Sequence, residues 1–126
     1  MGLFDFLKPK KSNEQNEMMA RMNATIFPKG EKDINACVDE LLRILENKIS
    51  RTDAKTIVLK SVFISRISNG FTKERLRAHL APYALQHFNE EQLMNFWGYL
   101  IGIQAIMLQD RKTPSEIKWD GSKYVW

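Results

Sequence analysis

Apolar residues recur along this chain at helical spacing, in stretches separated by proline, glycine and capping residues. Ser12 with Gln15 three positions on forms a capping box, and Met18, Met22 and Ile26 then fall four apart. That pattern predicts a first helix over about 12–26. Phe27-Pro28-Lys29-Gly30 breaks it, because proline lacks a backbone donor and disfavours helix in the residue before it. From Glu31 to about Ile49 the positions Ile34, Cys37, Val38, Leu41, Ile44, Leu45 and Ile49 make one apolar stripe, with Asp39, Glu40, Arg43, Glu46 and Asn47 mostly opposite. Glu31 and Asp33 in the first turn and Lys48 in the last suit the dipole of such a helix.

Thr52 is the expected N-cap of a third helix running to Ser68, apolar around much of its girth, with Ser61, Ser65 and Ser68 on one side and Asn69-Gly70 as its left-handed terminator. Thr72 caps a fourth, where Leu76, Leu80, Ala84 and Phe88 are four apart and Pro82 should split the helix near Ala81. The fifth opens with Asn89 and Gln92 as a capping pair, and its body from Leu93 to Leu108 is nearly all apolar. Gly98 and Gly102 in that body suggest close approach by another helix, the serine-faced third being the candidate. The sixteen-residue run contains Asn95 and Gln104 and falls short of the roughly twenty residues that span a bilayer. Beyond Thr113-Pro114 the text changes to alternation around Asp120-Gly121, a hairpin in which Trp119 faces Tyr124 and Ile117 faces Trp126.

The expected fold is therefore all-α, a compact bundle of about five helices with a short C-terminal β-hairpin. Residues 1–11 form a flexible or docking N-terminal segment, 12–110 the bundle, and 111–126 the hairpin packed on it. The length of 126 residues suits one domain, and a hydrophobic share of 44% argues against a wholly disordered chain. A single cysteine, Cys37, permits no internal disulfide and points to a reducing, cytoplasmic setting. The N-terminus places its apolar run ahead of its basic cluster, the reverse of a signal peptide, and Phe6 stands where a myristoylation motif needs Ser or Thr.

Charge sharpens the functional reading. Residues 1–50 balance eight basic against eight acidic side chains, whereas 51–126 carry eleven against seven. Seven of those bases lie between Arg51 and Arg77, against only Asp53 and Glu74. The helix pair 52–68/72–81 is accordingly a candidate helix-turn-helix, with Lys73, Arg75 and Arg77 placed to meet nucleic acid, although the first helix is long and Pro82 cuts the second short.

No nucleophile motif, phosphate-binding glycine loop or paired-cysteine site appears, and His79 and His87, eight residues and about 12 Å apart along a straight helix, cannot share one ion. Neither enzyme activity nor a metal or other cofactor is expected. The favoured expectation is a protein-interaction or regulatory module, binding another protein or itself. Its candidate surfaces are the N-terminal cluster Leu3, Phe4, Phe6 and Leu7, the methionines Met18 and Met22, and the C-terminal aromatics Trp119, Tyr124 and Trp126. Leu3 to Leu7 ahead of Lys8, Lys10 and Lys11 also suits weak contact with a membrane surface.

Overall fold

A computed structural model describes residues 25–126 of the chain. The expected first helix, and with it Leu3, Phe4, Phe6, Leu7, Met18 and Met22, lies outside the described residues, apart from Thr25 and Ile26, which are helical. Four longer helices follow: α1 (Glu31–Ile44), α2 (Arg51–Ile67), α3 (Lys73–Leu80) and α4 (Glu90–Asp110). Single 3-10 turns at Leu85–His87 and Pro114–Glu116 precede α4 and the hairpin β1 (Lys118–Trp119) and β2 (Tyr124–Val125). The described part is thus mostly helical with a two-stranded antiparallel sheet at its end.

The stripe on α1 packs as its periodicity requires, with Cys37, Val38 and Leu41 buried against Val58 and Val62 of α2 and Phe96, Leu100 and Ile103 of α4 in a single core. Burying one such side chain contributes roughly 1.5–3 kcal/mol. Cys37 lies wholly inside this core, where burial pushes its thiol up to about 12 even though the Tyr99 hydroxyl donates to the sulfur at 3.5 Å. It is a packing residue, protonated and shielded.

The helix over 31–49 is shorter than its stripe. It stops at Ile44 because Glu46 and Asn47 turn left-handed, with φ of 57° and 58°, and the Asn47 amide reaches back to the Leu42 carbonyl at 2.8 Å. Leu45 and Ile49 still pack on the core from the turn, so the apolar spacing outlasts the helix that it resembles. Lys48 consequently lies outside the last turn, which holds Arg43 instead. The cap of the next helix moves as well: Ser50, not Thr52, accepts the Asp53 amide at 3.1 Å.

Thr72 caps α3 by accepting from the Arg75 amide, and the helix ends at Leu80, two residues before Pro82. Asn89 and Gln92 close a reciprocal capping box at 2.7 and 2.9 Å, and the Gln92 side-chain amide also donates to the Ile44 carbonyl, tying the start of α4 to the end of α1. Gly98 and Gly102 overturn the close-packing expectation. A Cβ built on either would meet nothing within 4 Å, so no helix among the described residues uses the room they leave.

One buried acid fixes the return of the chain. Asp33 accepts the Lys29 amide at 2.7 Å and the Ser115 amide at 2.9 Å, joining the turn before α1 to the turn after α4. Burial alone would raise its pKa, but these hydrogen bonds prevail and hold it below the ordinary carboxylate value.

Glu46 occupies a left-handed conformation that costs a side-chain-bearing residue roughly 1–2 kcal/mol. Glu46→Gly should therefore stabilise the fold by about 1 kcal/mol in urea unfolding, while Leu41→Ala should cost about 2–5 kcal/mol.

Candidate functional site

The hairpin is pinned to α1 by a second acid of that helix. Its strands pair Lys118 with Val125 and Trp119 with Tyr124, the latter as the sequence register predicts. The turn is built by Asp120, whose carboxylate accepts the Ser122 and Lys123 amides, and by Gly121 at φ 108°. Glu40, only 8% exposed, accepts two hydrogen bonds from the Arg43 guanidinium at 2.6 and 2.8 Å and one from the Tyr124 hydroxyl. Burial, and then the hydrogen bond to Glu40, push the Tyr124 phenol above its ordinary value, so it stays a donor.

Arg43 also lies 4.4 Å over the Trp119 ring, Trp119 meets Tyr124 edge-on at 4.9 Å, and Tyr124 meets Tyr99 of α4 at 5.4 Å. These groups frame a groove of about 410 Å³ bounded by Arg43, Met94, Gly98, Trp119 and Tyr124. The absent side chain of Gly98 leaves one wall open. Of the C-terminal aromatics marked out in the sequence, Trp119 and Tyr124 are brought together here; Trp126 stands apart, 55% exposed, while Ile117 is buried. Glu40, Arg43 and Met94 escape a sequence reading as site residues, and Gly98 is legible there only as a place for close helix packing. The three-residue spacing of Glu40 and Arg43 is their one local signal, and it reads equally well as an ordinary solvent-facing pair.

The groove continues onto the outer face of α4. Phe96, Leu100 and Ile103 turn inward, and on the opposite side Met94, Gly98, Ile101, Ala105 and Leu108 form a crest. Met94 is 47% and Leu108 72% exposed. No charged residue occurs between Glu91 and Asp110, so this surface is neutral along its length. On its other flank a second groove, of about 390 Å³, runs beside Ser68, Phe71, Ile101 and Leu108.

The basic run disperses when the helices pack. Arg51 pairs with Asp39, Lys55 with Glu31, Lys73 with Glu90, and Arg77 with Glu74 and Glu90. Lys60 rests over the Tyr83 ring, and Arg66 donates to the Met107 sulfur. Of the proposed nucleic-acid contacts Lys73, Arg75 and Arg77, only Arg75 is exposed without an ion-pair partner among the described residues. His79 sits nearby, its ring nitrogen 2.8 Å from the Tyr83 hydroxyl. Among the described residues no group of three or more His, Cys, Asp or Glu side chains could hold a metal ion, and no helix is long and apolar enough to cross a membrane.

Tyr124→Phe removes a hydrogen bond to a carboxylate and should destabilise by about 1.5–3 kcal/mol, with a change in Trp119 fluorescence as the hairpin loosens. A pH dependence is expected at His79. Burial, and secondarily Lys60, lower its pKa, so its contribution to stability is complete above the unfolded value of about 6.5 and is lost as pH falls through the lower folded value. Unfolding measured between pH 7 and 5 should show that loss, and His79→Gln should flatten it. Compared with known proteins, the chain matches no family, no curated protein and no solved structure, so its function has to be read from its own surfaces.

Proposed function

We propose that this chain is a non-enzymatic protein-interaction module that binds through the outer face of α4 and the adjoining hairpin groove. The observation that carries the reading is the uncharged outer face of α4, where Met94 is exposed beside Trp119 and Tyr124, Gly98 and Ala105 are exposed further along, Ile101 is half-buried and Leu108 is exposed at the far end. Apolar surface in water is unfavourable by about 25 cal/mol per Å², and a contiguous exposed patch on a folded domain is characteristic of a binding face. The aromatics add large, rigid contact area, and Arg43 supplies a polar rim beside them.

Nucleic-acid binding through Lys73, Arg75 and Arg77 ranks below this, because Glu74 and Glu90 reduce the positive potential that would draw a polyanion. Attachment to a membrane surface rests on residues 1–11, which lie outside the described residues.

The test is affinity capture from the protein's own cell extract by full-length chain, with and without nuclease, in parallel with the exposed-site variants Met94→Lys and Leu108→Lys. The module reading expects a protein retained through nuclease treatment and lost with either variant. Material that disappears with nuclease, or is retained equally by the variants and lost on Arg75→Glu, would overturn it in favour of the basic helix pair.

A further inference from the structure

Away from α4, the groove between α2 and α3 joins bases to apolar side chains and holds no acid. Its space is about 540 Å³, bounded by Ile64 and Ile67 of α2, by Arg75, Ala78 and His79 of α3, and by the Ser68-Asn69 connection. Lys60, Ile64 and Ile67 share one face of α2, and Arg75, Ala78 and His79 one face of α3, by their helical spacing. Ile67 is 53% exposed, and Arg75 and Ala78 are exposed beside it.

We propose that this groove is a second docking site, and that its occupant is an acidic amphipathic helix of another protein, which sets an apolar side chain against Ile64, Ile67 and Ala78 and its carboxylates against Arg75 and Lys60. This goes beyond the α4 reading and does not rest on it.

Charge selects the occupant. No acid occurs in the sequence between Asp53 and Glu74. Glu74 is engaged by Arg77 at 3.0 Å, and Arg77 reaches on to Glu90 of α4, so the acids of this region lie on the other flank of α3. Neither Arg75 nor Lys60 has an ion-pair partner among the described residues. Lys60 marks one end of the groove, its ammonium 4.8 Å over the Tyr83 ring, whose hydroxyl lies 2.8 Å from the His79 ring nitrogen. Burial, and secondarily Lys60, lower the His79 pKa, so at neutral pH the fixed charges are those of Arg75 and Lys60.

The spacing of these charges favours a protein helix over nucleic acid. A polyanion is held by a dense array of bases and gains nothing from an exposed isoleucine. Here two bases flank an apolar floor. Lys60 precedes Ile67 by seven residues, about 10 Å along the axis, which is the rise of two turns in a bound helix. Carboxylates two turns apart can therefore reach both bases while an apolar residue between them enters the groove, the anchoring used when an amphipathic helix lies in a cleft. The contact is small and partly electrostatic, so its affinity falls as salt rises.

The test is selection of phage-displayed random peptides of about sixteen residues, long enough for a helix, on the full-length chain at low salt. Selected sequences should combine Asp or Glu with Leu, Ile or Met at helical spacing, and their affinity, read by fluorescence anisotropy, should fall about tenfold with Arg75→Glu and about as much with Ile67→Lys. Both positions are exposed, and circular dichroism verifies that the variants fold. Ile67→Lys separates the groove from charge alone, because its added base would tighten purely electrostatic binding. Peptides without acidic enrichment, or peptides that bind Ile67→Lys more tightly, refute the site. A selection in which every peptide is lost on Met94→Lys or Leu108→Lys and none on Arg75→Glu belongs to α4 and also refutes it, while the α4 reading survives. A duplex DNA probe that binds better than any selected peptide, is lost on Arg75→Glu and is indifferent to Ile67→Lys gives the face to nucleic acid instead. Self-association in sedimentation that is abolished by Arg75→Glu gives it to a second copy of the chain.

Discussion

The carboxylate of Asp33 is the constraint from which the rest of the arrangement follows. It is completely buried, and it is stable there because two backbone amides, from Lys29 and Ser115, donate to its two oxygens. That fixes where the chain leaving α4 crosses α1. Glu40 lies seven residues, or two turns, further along the same helix, and therefore on the same face. It receives Tyr124 as Asp33 receives Ser115, so the C-terminal segment is latched at two points along one helix. A hairpin with two-residue strands is marginal by itself, and these latches supply what its own ladder lacks. With the hairpin held there, Trp119 and Tyr124 stand beside α4, and a groove exists.

Much of this was legible in the sequence where a signal is local. The capping box at Asn89 and Gln92, the Thr72 cap, the stop imposed by Pro82 and the Trp119–Tyr124 register each depend on residues within a few positions of one another. The end of α1 was not legible, because Leu45 and Ile49 keep helical spacing while packing from a left-handed turn. Nor were the two latches. Asp33 reads as a dipole-favoured residue of a first turn and Glu40 as part of a solvent face, since their decisive partners lie 82 and 84 residues away. Buried acids are paid for by such distant contacts, which periodicity cannot register.

Charge makes the same point in the opposite direction. Seven bases between Arg51 and Arg77 look like one field in the sequence, yet most meet an acid or an aromatic ring from another helix once the bundle forms. Exposed pairs of this kind contribute little stability, about 0–1 kcal/mol each. Their effect is on the potential: Glu90, from the first turn of α4, sits between Lys73 and Arg77 and has its own pKa lowered first by Arg77. Glu90 belongs to an acidic helix start, so the feature that favours α4 through its dipole also quiets the basic face of α3.

The composition of α4 is the physical ground for the proposed binding surface. A helix apolar on all sides normally belongs in the middle of a domain, covered all round. Here α1, α2 and the α2–α3 connection cover one side through Phe96, Leu100, Ile103 and the Trp97 hydrogen bond to the Phe71 carbonyl, and the hairpin borders another. On the remaining face Ile101 is half-buried against the core, while Met94 and Leu108 at the two ends stay exposed. Its glycines lower the helix propensity of the segment while its neutrality withholds the charged side chains that would normally keep such a surface apart from others. Both properties carry a cost for an isolated domain that a covering partner would offset, and this is why the proposed module reading rests on α4.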